Sequence, residues 1–334
     1  QTPVLGLVVK RDQDINNFVP HPFYEVFAHI EKNGESFKAK WQPSEACQPH
    51  MDDEGRIINK ALAENVVSRI NNQPATVTSL VEKKKAQSAP LPYNLSSLQI
   101  DAAKVFSMNA KLVLDTCQAL YEKHKLITYP RSDCRYLPTE HLNDADKILN
   151  NLASSTESYG EFAKNANKQL KSKAWNDKQV GAHHAIIPTA ESANAITLSQ
   201  TEKNVYYLIA RQYIAQFYPS YQYLDTQAAF DIAGGKFTVK NKMPLEQGWK
   251  ALFQSKRKQT SPKDEEDQLQ SLPPLTNGEI LHCTHGEIAN KMTSPPAPFT
   301  DATLLAAMTG IARFIKDPEL KKVLKETDGL GTEA

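Results

Sequence analysis

The chain has 334 residues, 40% of them hydrophobic and 23% charged, and a formal net charge of +1. That length suits two or three domains, and that composition is ordinary for a globular protein. No apolar run nears the ~20 residues of a membrane-spanning helix, and the charge balance excludes a uniformly basic nucleic-acid binder, although a local basic groove can coexist with acidic surfaces elsewhere. The four cysteines, Cys47, Cys117, Cys134 and Cys283, are scattered without a Cys-x-x-Cys pair. They read as reduced thiols of a cytoplasmic protein.

In chain order, Val4, Leu7, Val8 and Arg11 open at helical spacing. Residues 18–81 read mostly as strand. Phe23, Val26 and Phe27, then Phe37, Ala39 and Trp41, flank Lys32-Asn33-Gly34, a hairpin signal. A polar loop runs from Gln42 to Arg56, followed by a helix over Asn59–Ile70. Glu82 to Pro92 reads as a basic, then proline-containing linker. Residues 93–206 are predominantly helical, with a capping-box pattern at Ser96 to Gln99. Ser107 to His124 sets Val113, Cys117, Leu120 and Tyr121 on one face. Two helices with a short turn at 106–109, then a strand carrying Tyr129, suggest a winged-helix-like unit. Lys104, Lys111, Lys123 and Lys125 form either its outward basic face or an ordinary solvated helix surface. Residues 207–294 return to strand around Gly234-Gly235, interrupted by a charged surface loop from Ser255 to Pro274. From Ser294 the chain is helical again, with a last helix over Pro318–Glu326 and a glycine turn at 328–331. It opens without methionine and stops just after that turn, so both ends are expected to be cuts from a longer protein.

The stretch Leu126-Ile-Thr-Tyr-Pro-Arg-Ser-Asp133 carries the most chemistry. Proline disfavours the α region for its predecessor, so Tyr129 is expected to be extended. Side chains two apart in an extended chain share a face, which would aim Tyr129 and Arg131 at one substrate group. A phenol, with a reference pKa near about 10, is a poor nucleophile. A guanidinium beside it favours the phenolate and grips phosphate oxygens. The pair is suited to attack on a phosphodiester; the plain alternative is a strand tyrosine beside a solvated arginine. Asp133 either orients Arg131 or forms a turn.

A second cluster, His183-His184, lies in Gly181-Ala-His-His-Ala-Ile-Ile-Pro-Thr189. Adjacent residues of an extended chain face opposite ways, so the two histidines are not expected to share a task. For each, a structural histidine bonded to backbone is the alternative. Two other schemes for a tyrosine nucleophile fail. None of the nine histidines begins a His-x-x-Arg sequence, and no His-hydrophobic-His metal triad is present. His282-Cys-Thr-His285 is a weak metal hint without further ligands.

The segment Leu126 to Pro138 (LITYPRSDCRYLP) resembles the active-site motif of type IA DNA topoisomerases, in the form found in bacterial topoisomerase III. Pro90 to Gln99, Gly181 to Thr189, Gln1 to Leu5, Phe299 to Leu305 and Gly329 to Ala334 are similar to further landmarks, in family order. The resemblance implies an α+β multidomain fold, part of a toroid whose hole holds DNA. A β-rich arch (18–81 and 207–294) carries an inserted helical, winged-helix-like tyrosine domain (82–206). Both rest on a helical domain made of the chain ends (1–17 and 295–334). Gln42 to Arg56 falls where topoisomerase III has an extra loop associated with decatenation.

The resemblance also implies roles. Tyr129 becomes the nucleophile forming a 5′-phosphotyrosine, Arg131 the stabiliser of the scissile phosphate, and His183 a phosphate contact. Lys104, Lys111, Lys125, His184, Thr300 and Thr303 become DNA-binding candidates, although helix capping accounts for either threonine equally well. The partner is mainly single-stranded DNA and the protein a monomer. Family chemistry also requires Mg²⁺ on an Asp-x-Asp-x-Glu cluster. That pattern is absent, since Asp12-x-Asp14 leads to Asn16 and Asp144-x-Asp146 to Ile148, while Asp264 to Asp267 reads as a solvated run. The metal is therefore expected on a domain outside this chain, which would carry the nucleophile without relaxing DNA alone. The competing readings are a non-catalytic single-stranded-DNA-binding scaffold, and an interaction module that keeps the motif only as packing.

Overall fold

Strand alternation shapes the first part of the chain. The computed structural model describes residues 2–254 and 272–314. After helix α1 (Thr2–Asn16) come strands β1 (Pro22–Lys32) and β2 (Glu35–Gln42). Val26, Ala28 and Ile30 of β1 and Phe37, Ala39 and Trp41 of β2 are buried. Every second side chain thus points inward, the period of the pleat. Asn33 and Gly34 take positive φ values of 53° and 86° in the turn, as a two-residue hairpin connection requires. A 3-10 turn (Glu45–His50) follows, and then a loop fixed by Asp52, whose carboxylate accepts from the Glu54 and Arg56 amides and pairs with the Arg56 guanidinium.

Helix α2 (Lys60–Ile70), capped by Asn59, lays Ala63, Val66 and Ile70 into the same core. Gly286 admits it, because a Cβ there would come within 3.0 Å of the Ile70 side chain. Strand β3 (Gln73–Gln87) leads into five helices: α3 (Leu95–Phe106), α4 (Ala110–Gln118), α5 (Leu142–Ala153), α6 (Tyr159–Lys164) and α7 (Gln200–Ile214). Then come β4 (Tyr221–Ile232), β5 (Gly235–Glu246), β6 (Ile280–Met292) and α8 (Asp301–Thr309). The strands close into an antiparallel barrel in the order β1-β2-β5-β4-β3-β6. Two seams are short, β2–β5 over Lys40–Gln42 and β3–β6 over Gln73–Thr76, and the other four are long. Phe230, Ile232, Phe237 and Cys283 complete its core.

A second core belongs to the helices. Leu98, Val113, Leu120, Leu126, Ile127, Leu149, Ile209 and Phe217 meet there. Trp249 and Leu252 join it from a 3-10 turn after β5 (Gly248–Phe253). Gly248 starts that turn with φ +47°, and a Cβ would lie 2.3 Å from the Pro219 carbonyl oxygen, so only glycine fits. Helix α8 packs against α3. Arg11 of α1 donates to the Ala297 carbonyl at 2.6 Å and lies over the Phe299 ring, joining the two ends of the described chain.

Several local expectations are corrected. The stretch read as a linker from Glu82 continues as β3 to Gln87, with Lys83 to Lys85 paired to Asp225, Leu224 and Tyr223; the Lys85–Asp225 ion pair offsets the lysine run. Strand does not resume at 207, since α7 and a 3-10 turn run on to Phe217. The capping box of α3 is Asn94 with Ser97, not Ser96 with Gln99. The expected helix to His124 ends as an α-helix at Gln118 and becomes a π turn over Ala119–Lys123. Tyr129 lies on no regular strand: Ile127 forms an isolated bridge to Pro188, and the chain turns at Pro130 and Arg131. The expected helix at 318–326, the glycine turn, the Gly329 to Ala334 landmark, Gln1 and Asp264 to Asp267 lie outside the described residues, as does most of the expected loop over 255–274.

Candidate active site

Three sequence motifs, separated in the chain, are stitched into one platform. The Thr128 amide donates to Ile187 O at 3.0 Å, and the Thr189 amide to Leu126 O at 2.9 Å. The Thr128 hydroxyl donates to Ala185 O and accepts from the Ile187 amide, each at 3.0 Å. The Ile186 amide reaches Tyr93 O at 2.8 Å, the Ala185 amide Tyr136 O at 2.9 Å, and the Leu95 amide Ser132 O at 3.0 Å. Asn94 and Arg135 add bonds to the carbonyls of Asp133 and of Leu91 and Pro92. Backbone without a regular ladder is thereby satisfied group by group, as buried polar groups require.

The stitching brings Tyr129 to His183. Their rings stack with centroids 4.6 Å apart and an interplanar angle of 25°. Tyr129 is 38% exposed, and His183 is exposed as well. The phenol therefore meets solvent or substrate on one side and an imidazole on the other. Tyr121 stands edge-on to Tyr129, with centroids 5.9 Å apart. Its placement comes from the π turn, a distortion often found at functional sites. The Leu126 amide closes that turn on Leu120 O at 2.9 Å, and Lys125 adopts a left-handed φ of 57°. His124 and Glu202, both largely buried, join the end of the turn to α7 at 3.0 Å.

Other candidates are placed differently. Arg131 is exposed on the turn after Tyr129, and its guanidinium has no hydrogen bond or ion pair among the described residues. His184 is not part of the Tyr129–His183 stack. Its Nδ1 donates to Ala185 O at 2.9 Å, and its ring meets His141 edge-on. Burial depresses the His184 pKa below its ordinary value, with His141 and His183 adding to the effect. Lys104 and Lys111 lie on exposed helix faces, 4.0 Å from Asp101 and 3.3 Å from Asp115. Lys125 sits over the Tyr121 ring at 5.7 Å. Thr300 and Thr303 form the capping box of α8, each hydroxyl accepting from the other residue's amide. Asp133 contributes its carbonyl to Asn94.

The residues present do not fit the Mg²⁺ that the family resemblance implies. No three His, Cys, Asp or Glu side chains among the described residues converge to hold a metal ion. Asp14 pairs with Lys10 and Asp146 with Lys168. His285 of the second His/Cys cluster stacks on His29 at 4.0 Å while Cys283 is buried in the barrel. No helix among the described residues is long and apolar enough to cross a membrane.

Sequence reasoning missed Tyr121, which read as a core position at helical spacing; nothing in a single sequence signals the π turn that re-aims it. It also missed Thr128 and Ser132. A threonine between two apolar residues and a tyrosine was the available hint of a side chain substituting for a ladder bond.

A family model described as DNA topoisomerase matches residues 1–334. The chain is 53% identical to DNA topoisomerase 3 of Vibrio cholerae over 339 residues, covering 100% of this chain and 51% of that protein. It is 35% identical to DNA topoisomerase 3 of Bacillus subtilis, covering 100% of this chain and 45% of that protein. The solved structure of full-length topoisomerase I from Thermotoga maritima superposes with a TM-score of 0.64 at 20% identity, covering 97% of this chain and 49% of that one; at that identity the likeness speaks for the fold. The chain thus spans about half the length of the curated relatives it matches. With a family model over its whole length and three of its motifs brought into contact by the fold, the chain belongs to the type IA DNA topoisomerases and is topoisomerase III-like.

Proposed function

We propose that this chain supplies the nucleophile and much of the strand-holding frame of an ATP-independent enzyme that cleaves, passes and rejoins single DNA strands. Tyr129 attacks a phosphodiester, its oxygen bonds to the 5′-side phosphorus, and the 3′-oxygen leaves on the other end. Rejoining reverses the step, the covalent link conserving the bond energy. Arg131, on the turn beside Tyr129 and without an ion pair among the described residues, steadies the phosphate, and the exposed His183 makes a further phosphate contact. Lys104, Lys111, Lys125, Thr300 and Thr303 extend the DNA path, with His184 acting through the backbone it holds. Mg²⁺ is held by residues outside those described, and no step here runs through it. The protein works as a cytoplasmic monomer on mainly single-stranded DNA; the Asp52-anchored loop serves decatenation.

The observation that carries this reading is the solvent-open Tyr129–His183 stack, held by bonds between the motifs at 90–99, 126–138 and 181–189. The test is covalent trapping in the full-length protein with labelled single-stranded oligonucleotide and Mg²⁺. A denaturant-stable adduct is expected, lost below detection in Tyr129→Phe while single-strand affinity stays within about twofold, because stacking and phosphate contacts carry binding. An adduct that survives in Tyr129→Phe overturns the assignment.

A further inference from the structure

Just before Tyr129 the helical body breaks two local rules in succession. Helix α4 widens into the π turn Ala119–Lys123, where the His124 amide reaches Ala119 O at 3.2 Å. The chain leaves that turn through Lys125 at a φ of 57°, a left-handed conformation that a residue with a Cβ seldom takes. A plain α-helix ending on glycine would avoid both costs. Irregular backbone of this kind persists only where its surroundings over-determine it.

The surroundings here do so from two directions. The Leu126 amide donates to Leu120 O at 2.9 Å, and the Thr189 hydroxyl to Lys125 O at 2.6 Å, which ties the exit of the turn to the His183 segment. His124 Nε2 meets Glu202 Oε1 at 3.0 Å, with only 7% and 13% of the two side chains exposed. Glu202 is itself fixed, because its Oε2 accepts from the Ser199 amide at 2.7 Å in the capping box of α7. Helix α7 is in turn anchored by Val205, Leu208, Ile209 and Ile214, all buried in the helical core.

This anchored turn presents one ring to the site. Tyr121 stands edge-on to Tyr129 with centroids 5.9 Å apart, while His183 stacks on Tyr129 at 4.6 Å. A tyrosine that is 38% exposed would otherwise be free to sample several rotamers.

We propose that Tyr121, His124 and Glu202 are positioning residues for Tyr129. The Glu202–His124 pair holds the π turn, the turn holds Tyr121, and Tyr121 with His183 confines the Tyr129 ring in its attacking geometry. Each of the three acts through Tyr129 and not on the reacting atoms. The inference rests on the proposed role of Tyr129 as nucleophile. Holding a reactant in place lowers the barrier without tightening ground-state binding. Loss of the device therefore falls on the cleavage rate and not on strand affinity.

The test is single-turnover formation of the denaturant-stable adduct by the full-length protein, with labelled single-stranded oligonucleotide and Mg²⁺. Tyr121→Ala and His124→Ala should each slow it about ten- to a hundredfold, with strand affinity kept within about twofold. Tyr121→Phe, which keeps the ring, and His124→Gln, which keeps a donor for Glu202, should recover most of that loss. The double alanine variant should be no slower than the slower single one, because both act through one device. Leu149→Ala, in α5 of the same core, should lower stability and leave the rate unchanged. Equal slowing in Leu149→Ala, additive losses in the double variant, slowing matched by lost affinity, or no slowing overturns the proposal. The ring contact is read separately, by nuclear Overhauser effects in protein with isotope-labelled tyrosine and histidine, and the Tyr129–His183 contact should weaken in both alanine variants. A wild-type protein that forms no adduct, or a Tyr129→Phe variant that keeps it, overturns the nucleophile assignment and with it the purpose of the device. A Tyr129–His183 contact unchanged in both alanine variants overturns the positioning itself, even where the adduct forms.

Discussion

The barrel and the helical body solve the same problem of satisfying buried backbone in opposite ways. In the barrel the backbone pairs along regular ladders, so side chains are free to alternate: apolar inward, and ion pairs such as Lys38–Glu287 and Lys40–Glu25 outward. In the helical body the segments around Tyr129 and His183 have no ladder. Thr128, Asn94, Arg135 and Thr189 spend their polar groups on backbone carbonyls and amides. The regular region keeps its chemistry paired and inert, whereas the irregular one holds an exposed Tyr129–His183 pair. Irregular backbone is what lets adjacent residues of different motifs converge, and side-chain-to-backbone bonds make it stable enough to do so.

The sharpest way to break that comparison is to empty one core and watch the other. Phe230 is fully buried in the barrel. Phe230→Ala should cost about 3–5 kcal/mol there. Urea unfolding followed by hydrogen exchange should show the barrel amides opening earlier while those of α3 and α7 keep their protection. Equal loss in both regions would mean that the two cores form one cooperative unit.

A smaller perturbation probes the stitching. Thr128→Val removes the hydroxyl that donates to Ala185 O and accepts from the Ile187 amide. Leaving those groups unpaired should cost about 1–3 kcal/mol and loosen His183 from Tyr129. The aromatic proton shifts of Tyr129 should then move toward solvent-exposed values. Thr78→Val, at an exposed position of β3 whose hydroxyl donates to Ala229 O at 3.2 Å, should cost less and leave those shifts unchanged. Equal effects would deny the stitched segments any special dependence on side chains.

The mildest effect is one of pH. Burial holds His184 below its ordinary pKa, so the unfolded chain takes up that proton more readily than the folded one. Its contribution is fully present above the unfolded histidine value of about 6.5 and is lost as the pH falls through and below it. Glu287 in the barrel is held low by Lys38 and then His29. Its contribution is present above about 4.3 and lost only as the pH drops toward its depressed value. Between pH 7.5 and 5.5 the helical body should therefore lose stability that Glu287 does not cost the barrel, and His184→Asn should remove part of that loss. An unchanged pH dependence in His184→Asn would assign it elsewhere.

How much was legible follows from what each signal depends on. The β1–β2 hairpin was readable because Asn33-Gly34 sits between alternating apolar residues, and the helix over Asn59–Ile70 was placed to within one residue, Asn59 being its cap. The end of β3 was not, because Lys83 to Lys85 look like a linker until Asp225 on another strand accompanies them. The Tyr-Pro-Arg and His-His motifs were legible as chemistry, but not their contact.

By itself the sequence determined the local alternation, the turn glycines, the motif order and hence the family. Those depend on neighbours in the chain and on residue types that only certain backbones tolerate. Tertiary structure alone decided the barrel's closure, the π turn that points Tyr121 at Tyr129, and the stack of Tyr129 on His183. The closure and the stack arise from hydrogen bonds and packing between residues far apart in sequence, and the locally closed π turn is tied to α7 through His124 and Glu202; no local propensity encodes those pairings.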